Sequence, residues 1–92
     1  MPNTVTQVLD IINEKGLHAR ASAKFVETVE AFDATAEVRK DGLDAAGDSI
    51  MGLLMLAGSR GTSIEVETSG PQAEELAKAL ADLVANRFGE DM

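Results

Sequence analysis

Two hydrophobic periodicities follow one another in residues 63–89, SIEVETSGPQAEELAKALADLVANRFG. In residues 63–68, two apolar residues alternate with two glutamates, which predicts a strand with one buried face. The next residues carry an apolar stripe with the spacing of a helix: Ala73, Leu76, Ala77, Leu80, Leu83, Val84 and Phe88. We expect this helix to have Pro71 at its first position and to be closed by Arg87 and Gly89. A half-buried strand followed by an amphipathic helix favours an α+β fold.

The same two patterns occur in the residues that precede this stretch. Alternation of apolar and polar residues predicts three more strands, at residues 4–12, 35–40 and 43–46. Helical spacing predicts two more helices, at residues 19–30 and, after a Ser49 cap, at residues 50–56. The resulting order is βαββαβα. It predicts a two-layer α+β sandwich in which three helices cover one face of a four-stranded antiparallel sheet and water covers the other.

The length and charge of the chain exclude several classes of protein. With 92 residues it forms one domain, residues 1–92, around a single small core. Its 16 Asp and Glu outnumber its 8 Lys and Arg, and the net charge of −8 argues against nucleic-acid partners. The chain shows no cysteine, signal peptide or long apolar run, which argues against disulfides, thiolate metal sites and a membrane anchor. We expect a cytoplasmic protein without a metal or cofactor.

The only histidine lies in a locally basic stretch of this acidic chain. Residues 15–24 contain no carboxylate and three cations, Lys15, Arg20 and Lys24. His18 stands at the first turn of the predicted helix, where free amide groups and the helix dipole attract anions such as phosphate. The same positive field favours the neutral imidazole, whose free nitrogen is a nucleophile. The pattern therefore indicates a site where an anion meets a nucleophilic histidine.

Other roles for His18 stay open at this point. A lone histidine at a helix start is often a cap or a surface residue, and together with Arg20 it could hold an anion without covalent chemistry. A hydrolase with His18 as its base lacks a placed nucleophile, and the only carboxylate beside this histidine in the sequence is Glu14. An RNA-binding module is weaker still, because the aromatic content is only 3% and the charge is negative.

A second candidate site is the apolar segment that follows Ser49. Leu53 and Leu56 fit the core, and a capped core helix is one interpretation of the segment. However, so short a helix cannot bury every side in a two-layer domain. We therefore expect some of its apolar residues to stay exposed, among them Ile50, Met51, Leu54 and Met55. An exposed patch that contains methionines is typical of a surface for partner proteins.

Two separated motifs carry a resemblance to a known family. Gly16-Leu17-His18-Ala19-Arg20 and the later Ser49-Ile50-Met51-Gly52-Leu53 resemble HPr, the histidine phosphocarrier family of the phosphoenolpyruvate-dependent phosphotransferase system. The resemblance covers residues 5–88 and implies the HPr-like open-faced sandwich. It implies a carrier rather than an enzyme. His18 would accept a phosphoryl group on Nδ1 from Enzyme I and pass it to a IIA-type domain, while Arg20 stabilises the phosphoryl charge.

The resemblance implies further partners as well. Ser49 matches the position that the HPr kinase/phosphorylase of the family modifies, and a phosphate there would weaken docking. We expect the protein to be a monomer. Its contacts with partners are expected from Ala19, Lys24, Ile50, Met51 and Leu54. Most members have proline after the motif arginine, where this chain has Ala21. The alanine-rich form resembles HPr variants of the nitrogen-related branch, in which the phosphate is a signal rather than a step in sugar uptake.

Overall fold

Four strands and three helices follow the predicted order along the chain. The computed structural model describes residues 3–91, and its elements are β1 (Asn3–Asp10), α1 (Ala19–Glu30), β2 (Thr35–Lys40), β3 (Leu43–Ala46), α2 (Ile50–Met55), β4 (Ser63–Gly70) and α3 (Ala73–Ala85). A short 3₁₀ segment after α3, Arg87–Gly89, is named the C-terminal turn. The α+β class and the βαββαβα order are confirmed.

The four strands form one antiparallel sheet in the order β1-β4-β2-β3. On the inner face, Ile64 of β4 pairs with Leu9 of β1, and both side chains are buried. On the outer face, Val8 is 65% exposed and its partner Glu65 is also exposed. The predicted alternation is therefore confirmed: the helices cover one face, and the other face is open to solvent.

The core lies between this inner face and the helices. Helix α1 buries Phe25, Val26 and Val29, and α3 buries Leu76, Leu80 and Val84 of its predicted stripe. Leu83, also in that stripe, is only partly buried against the core. Helix α3 packs on β1 and β4, and α1 packs against both α2 and α3. Full burial of one such side chain contributes about 1.5–3 kcal/mol. Within residues 3–91, no helix combines the length and apolarity that crossing a membrane requires.

The prediction for the start of α3 was wrong. Pro71 does not occupy the first helical position, because α3 begins at Ala73 with Gln72 as its cap. Strand β4 continues to Gly70, where it still pairs with β1, so the chain is extended for two residues more than the alternation indicated. The Gln72 amide then donates to the Asp33 carbonyl, and the Gln72 side-chain oxygen accepts from the Asp33 amide. These pairings between distant segments delay the helix.

The predicted end of α3 also needs correction. The helix ends at Ala85, because Arg87, Phe88 and Gly89 all adopt positive φ angles of 53°, 54° and 79°. Left-handed backbone is unfavourable for residues with a side chain. Here it reverses the chain so that Phe88 is fully buried against the core. Phe88 is therefore a core residue, as its apolar spacing suggested, but it lies in the C-terminal turn and not on the helix.

Candidate functional site

His18 caps the N-terminus of α1. Its backbone is extended, and its Nδ1 accepts a hydrogen bond from the Arg20 amide at 3.2 Å. The side chain keeps 26% of its surface exposed. An acceptor on the cap residue satisfies one of the amide groups that the first helical turn leaves without a partner. The predicted position of His18 at the helix start is thus confirmed, with the free electron pair of Nδ1 directed at the helix amides.

The loop that presents His18 is held by a close backbone crossing. The Leu17 amide donates to the Gly58 carbonyl at 2.7 Å, and the Leu17 side chain is buried. Gly16 has φ of +64°, and a Cβ there would lie 2.2 Å from the Gly58 oxygen. Only glycine therefore fits at position 16. The crossing fixes the backbone of Leu17, the residue before His18, and thereby limits the movement of the partly exposed imidazole.

A carboxylate from the C-terminus occupies the other ring nitrogen of His18. Nε2 pairs with Glu90 Oε2, across 72 positions of sequence. Since Nδ1 accepts from Arg20, the hydrogen-bond network assigns the proton to Nε2, which donates to Glu90. The expectation that Glu14 is the only carboxylate beside His18 was wrong. It failed because Glu90 reaches the imidazole only through the fold.

Asn13 holds this carboxylate from the opposite side. Its Nδ2 donates to Glu90 Oε1 at 2.9 Å and to the Gly16 carbonyl at 2.9 Å, and the residue is fully buried. The hydrogen bond from Asn13 is the main cause that lowers the pKa of Glu90 below its ordinary value, and the contact with His18 lowers this pKa further against the effect of burial. Glu90 is therefore ionised at neutral pH.

The three cations predicted around His18 have different roles in the structure. Arg20 and Lys15 are exposed and line one shallow pocket together with Glu14, Glu90 and Asp91. Lys24, in contrast, is half-buried, and its Nζ donates to the Phe88 carbonyl at 2.6 Å. Lys24 therefore holds the C-terminal turn.

Within residues 3–91, no group of three or more His, Cys, Asp or Glu side chains is close enough to hold a metal ion.

Ser49 caps α2, as the sequence predicted. Its Oγ accepts from the Gly52 amide at 3.0 Å, and the six-residue helix then buries only Leu53. Three apolar side chains of α2 are exposed, Ile50 at 40%, Met51 at 70% and Met55 at 75%, while Leu54 is half-buried. We name Ile50, Met51, Leu54 and Met55 the α2 patch. The prediction that this segment is both part of the core and an exposed apolar surface is confirmed.

The loop that leaves α2 lies close to the histidine. Helix α2 packs against α1, and the loop that leaves α2 meets the His18 loop. A shallow pocket beside His18 is lined by Lys15, Leu17, Ala57, Gly58 and Ser59. Helix α2 has six residues and is therefore about 9 Å long, so this length separates Ser49 at its start from the loop at its end. Helix α2, which carries the apolar patch and is capped by Ser49, is thus followed directly by the loop that contacts the His18 loop.

Sequence reasoning missed three residues of this site: Asn13, Gly58 and Glu90. Asn13 belongs to a recognisable turn signal, but no local pattern indicates that its side chain is buried. The position of Gly58 predicts only the end of a helix. The hydrogen bond from the Leu17 amide to its carbonyl depends on a crossing of two loops. Glu90 lies beyond the last periodic residue, where the sequence contains no signal for a contact with His18.

Comparisons with known proteins agree with this site. A family model described as "PTS HPr component phosphorylation site" matches residues 5–86. Phosphocarrier protein HPr of Neisseria meningitidis serogroup A is 49% identical over 84 residues, 91% of this chain and 94% of the relative. Phosphocarrier protein NPr of Escherichia coli K12 is 43% identical over 89 residues, 96% of this chain and 99% of the relative.

Solved structures support the same assignment. The crystal structure of HPr from Thermoanaerobacter tengcongensis matches with a TM-score of 0.91 at 38% identity, and the match covers 96% of this chain and 99% of that one. Fold, site motifs and sequence identity over most of the length therefore agree. The chain belongs to the HPr family, the phosphocarrier proteins of the phosphotransferase system.

Proposed function

We propose that this phosphocarrier accepts a phosphoryl group on Nδ1 of His18 from phosphorylated Enzyme I and passes it to a IIA-type domain. The observation that carries the proposal is the position of Nδ1, which has a free electron pair directed at the N-terminus of α1. Intact-mass measurement after incubation with Enzyme I and phosphoenolpyruvate tests it. The expected result is one added phosphoryl group, labile in acid and stable in alkali, while no covalent adduct would favour a module that only binds anions.

The proposed step needs no proton transfer to or from His18. The electron pair of Nδ1 attacks phosphorus, and a nitrogen–phosphorus bond forms while the bond from phosphorus to the donor atom breaks. The donor keeps the electron pair of that bond. The ring retains its proton on Nε2 and gains a positive charge. Transfer to the acceptor reverses these changes, so that the chain returns to its starting state and acts as a carrier without net turnover.

The N-terminus of α1 supplies a cradle for the transferred group. Once Nδ1 forms its bond to phosphorus, the Arg20 amide loses its acceptor and is free to donate to a phosphoryl oxygen. The Arg20 guanidinium is exposed in the same turn and adds a full positive charge. Phosphoryl transfer depends mainly on positioning and on stabilisation of the charge on the oxygens. Both requirements are met by groups within two residues of His18.

Arg20→Ala is expected to slow phosphoryl transfer about tenfold, the effect of losing one charge-assisted hydrogen bond at an exposed site. The fold should be unaffected, because an exposed side chain contributes less than about 0.5 kcal/mol to the free energy of unfolding. Rapid-quench transfer from phosphorylated Enzyme I gives the rate. Arg20→Lys is the matched control. Its transfer rate should lie between the rates of the natural chain and of Arg20→Ala, since lysine keeps the charge but not the planar guanidinium. An unchanged rate for Arg20→Ala contradicts this role.

The α2 patch is the surface we propose for Enzyme I and the IIA-type domain in turn. Its methionines are exposed and adaptable, and the loop that follows α2 lines a pocket with His18. Ala19 is exposed at the start of α1 and extends the same surface. Donor and acceptor must both reach Nδ1. A shared patch next to this atom lets each partner dock in turn.

Regulation at Ser49 is a second part of the proposal. Phosphorylation by an HPr kinase/phosphorylase with ATP would add about two negative charges at the start of α2, next to Asp48 and at the rim of the α2 patch. These charges favour the helix terminus but oppose docking of an apolar partner surface. We therefore propose that a phosphate on Ser49 weakens docking without unfolding the chain.

Ser49→Asp is expected to weaken binding to Enzyme I about tenfold, while Ser49→Asn stays within about twofold of the natural chain. Asp and Asn both cap helices as well as Ser, so the melting temperatures should agree and only the added charge separates the variants. Calorimetric titration gives the affinities. Equal affinities for Asp and Asn would show that charge at position 49 does not control docking. Incubation with the kinase and ATP should add a phosphate that Ser49→Asn lacks.

The acceptor branch has a specific alternative. The chain is 43% identical to an NPr protein, and Ala21 replaces the proline common after the motif arginine. The alanine-rich motif around His18 favours a regulatory role in the nitrogen-related branch without sugar transport, whereas the identity is higher to an HPr, at 49%. Comparison of transfer rates from a sugar-branch and a nitrogen-branch Enzyme I decides between the two branches.

A further inference from the structure

The contact between Glu90 and His18 has a role that phosphoryl acceptance at Nδ1 does not by itself explain. Both side chains are largely shielded, with 17% of Glu90 and 26% of His18 exposed. Glu90 binds the ring nitrogen opposite the reacting one. The inference drawn from this contact rests on the proposed function, because it concerns how His18 is held for that reaction.

The C-terminal turn carries Glu90 to His18 by contacts of its own. Phe88 is fully buried, and its carbonyl accepts from Lys24 Nζ at 2.6 Å. Two residues with side chains, Arg87 and Phe88, take left-handed backbone in order to make this reversal. Such conformations persist only where surrounding contacts maintain them, and they concentrate at functional sites. The carboxylate is therefore delivered by the fold and does not depend on the His18 contact alone.

The charges around Glu90 keep it ionised and in place. Asn13 donates to one carboxylate oxygen, and Lys15 contributes a favourable charge. Arg20, Glu14 and Asp91 line the same shallow pocket. Of the carboxylates there, Glu90 is the one with a hydrogen bond to the imidazole. The ring is thus held between a backbone donor on Nδ1 and a half-buried, positioned acceptor on Nε2.

We propose that Glu90 is a positioning residue for phosphoryl transfer: it holds the proton of His18 on Nε2 and balances the positive charge that the ring gains when Nδ1 bonds to phosphorus. Without this acceptor only the Arg20 amide favours the proton on Nε2, so the tautomer with its proton on Nδ1, which cannot attack, becomes more populated. A carboxylate within hydrogen-bond reach also stabilises the cationic ring in the transition state. Both effects act on the rate of phosphoryl acceptance.

Glu90→Gln tests this proposal in the full chain with Glu65→Gln as the control, since that change removes an exposed carboxylate on the outer face of the sheet. The rate of acceptance from phosphorylated Enzyme I is expected to fall about tenfold in Glu90→Gln and to stay unchanged in Glu65→Gln. Nitrogen-15 shifts of the His18 ring in the unphosphorylated chain report the tautomer. They should show the proton on Nε2 in the natural chain and a mixture in Glu90→Gln, because the single amide oxygen of glutamine can accept from Asn13 or from Nε2 but does not serve both. Phe88 and Lys24 still hold the turn, so both variants should fold.

The outcomes separate the two proposals. A slower rate together with a mixed tautomer in Glu90→Gln supports the positioning role. If the rate of Glu90→Gln matches that of Glu65→Gln, the positioning role is overturned while phosphoryl acceptance stands. A slower rate with an unchanged tautomer overturns the hold on the proton and leaves charge balance as the role of Glu90. A natural chain that gains no phosphoryl group overturns the proposed function, and with it any role of Glu90 in transfer.

Discussion

His18→Ala should abolish phosphorylation by Enzyme I and phosphoenolpyruvate, so that intact mass shows no added phosphoryl group. The reason is chemical. The chain contains one histidine and no cysteine, and Nδ1 of His18 is the nitrogen presented to the N-terminus of α1. Loss of the imidazole removes the atom that forms the bond to phosphorus, so no residual rate is expected.

His18→Asn separates the nucleophile from the helix cap. His18 caps α1 through its side chain, and alanine should therefore lower the free energy of unfolding by about 1 kcal/mol. Asparagine restores a capping group but supplies no nucleophile. We expect both variants to remain unphosphorylated, with a smaller loss of stability for asparagine. Phosphorylation that persists in either variant would show that His18 is not the acceptor.

Phe88→Ala should have the largest effect on stability. Phe88 is fully buried, and truncation of such a residue costs about 3–5 kcal/mol because the cavity cannot close completely. A domain of this size has only about 5–15 kcal/mol in total. The melting temperature is expected to fall by about 15 °C or more. Thermal or denaturant unfolding followed by circular dichroism measures the change.

The same substitution should also disturb the site through the C-terminal turn. Phe88 keeps this turn in its left-handed form, and its carbonyl is the acceptor for Lys24. Without the aromatic ring, the turn loses the buried contact that stabilises its left-handed backbone, and Glu90 is no longer held beside His18. Phe88→Leu is the matched control and should cost less than about 1.5 kcal/mol because it keeps most of the apolar volume. A loss of under 1 kcal/mol for Phe88→Ala would show that the turn does not depend on this residue.

The fold was predictable where local patterning and tertiary packing agree. Helix α1 begins and ends as predicted, at Ala19 and Glu30, because its buried stripe and polar outer face repeat every turn. Strands β2 and β3 also have the predicted bounds, since an Asp41-Gly42 turn sets their register. In these elements the residues that specify the structure are neighbours in sequence.

The predictions failed where distant segments meet. Pairing of β4 with β1 extends the strand to Gly70 and places Pro71 before the helix rather than in it. Burial of Phe88 ends α3 earlier than its apolar stripe indicated. In both places a long-range contact stabilises a conformation that local propensity alone disfavours. The sequence contains the residues for these contacts but no periodicity that reveals them.

The candidate site divides in the same way. Ser49 was predicted as a cap and His18 as a residue at a helix start, and each of them caps its helix by a hydrogen bond that spans two or three residues. The motifs around these two residues were sufficient to predict the family and the acceptor. Glu90, which binds the second ring nitrogen, lies 72 positions away and follows a left-handed turn. The sequence by itself determined the fold class, the family and the position of His18 at a helix start, because these depend on patterns within single elements. Only the tertiary structure decided how the imidazole is held at Nε2, because the partner of that nitrogen, Glu90, lies 72 positions away in the sequence.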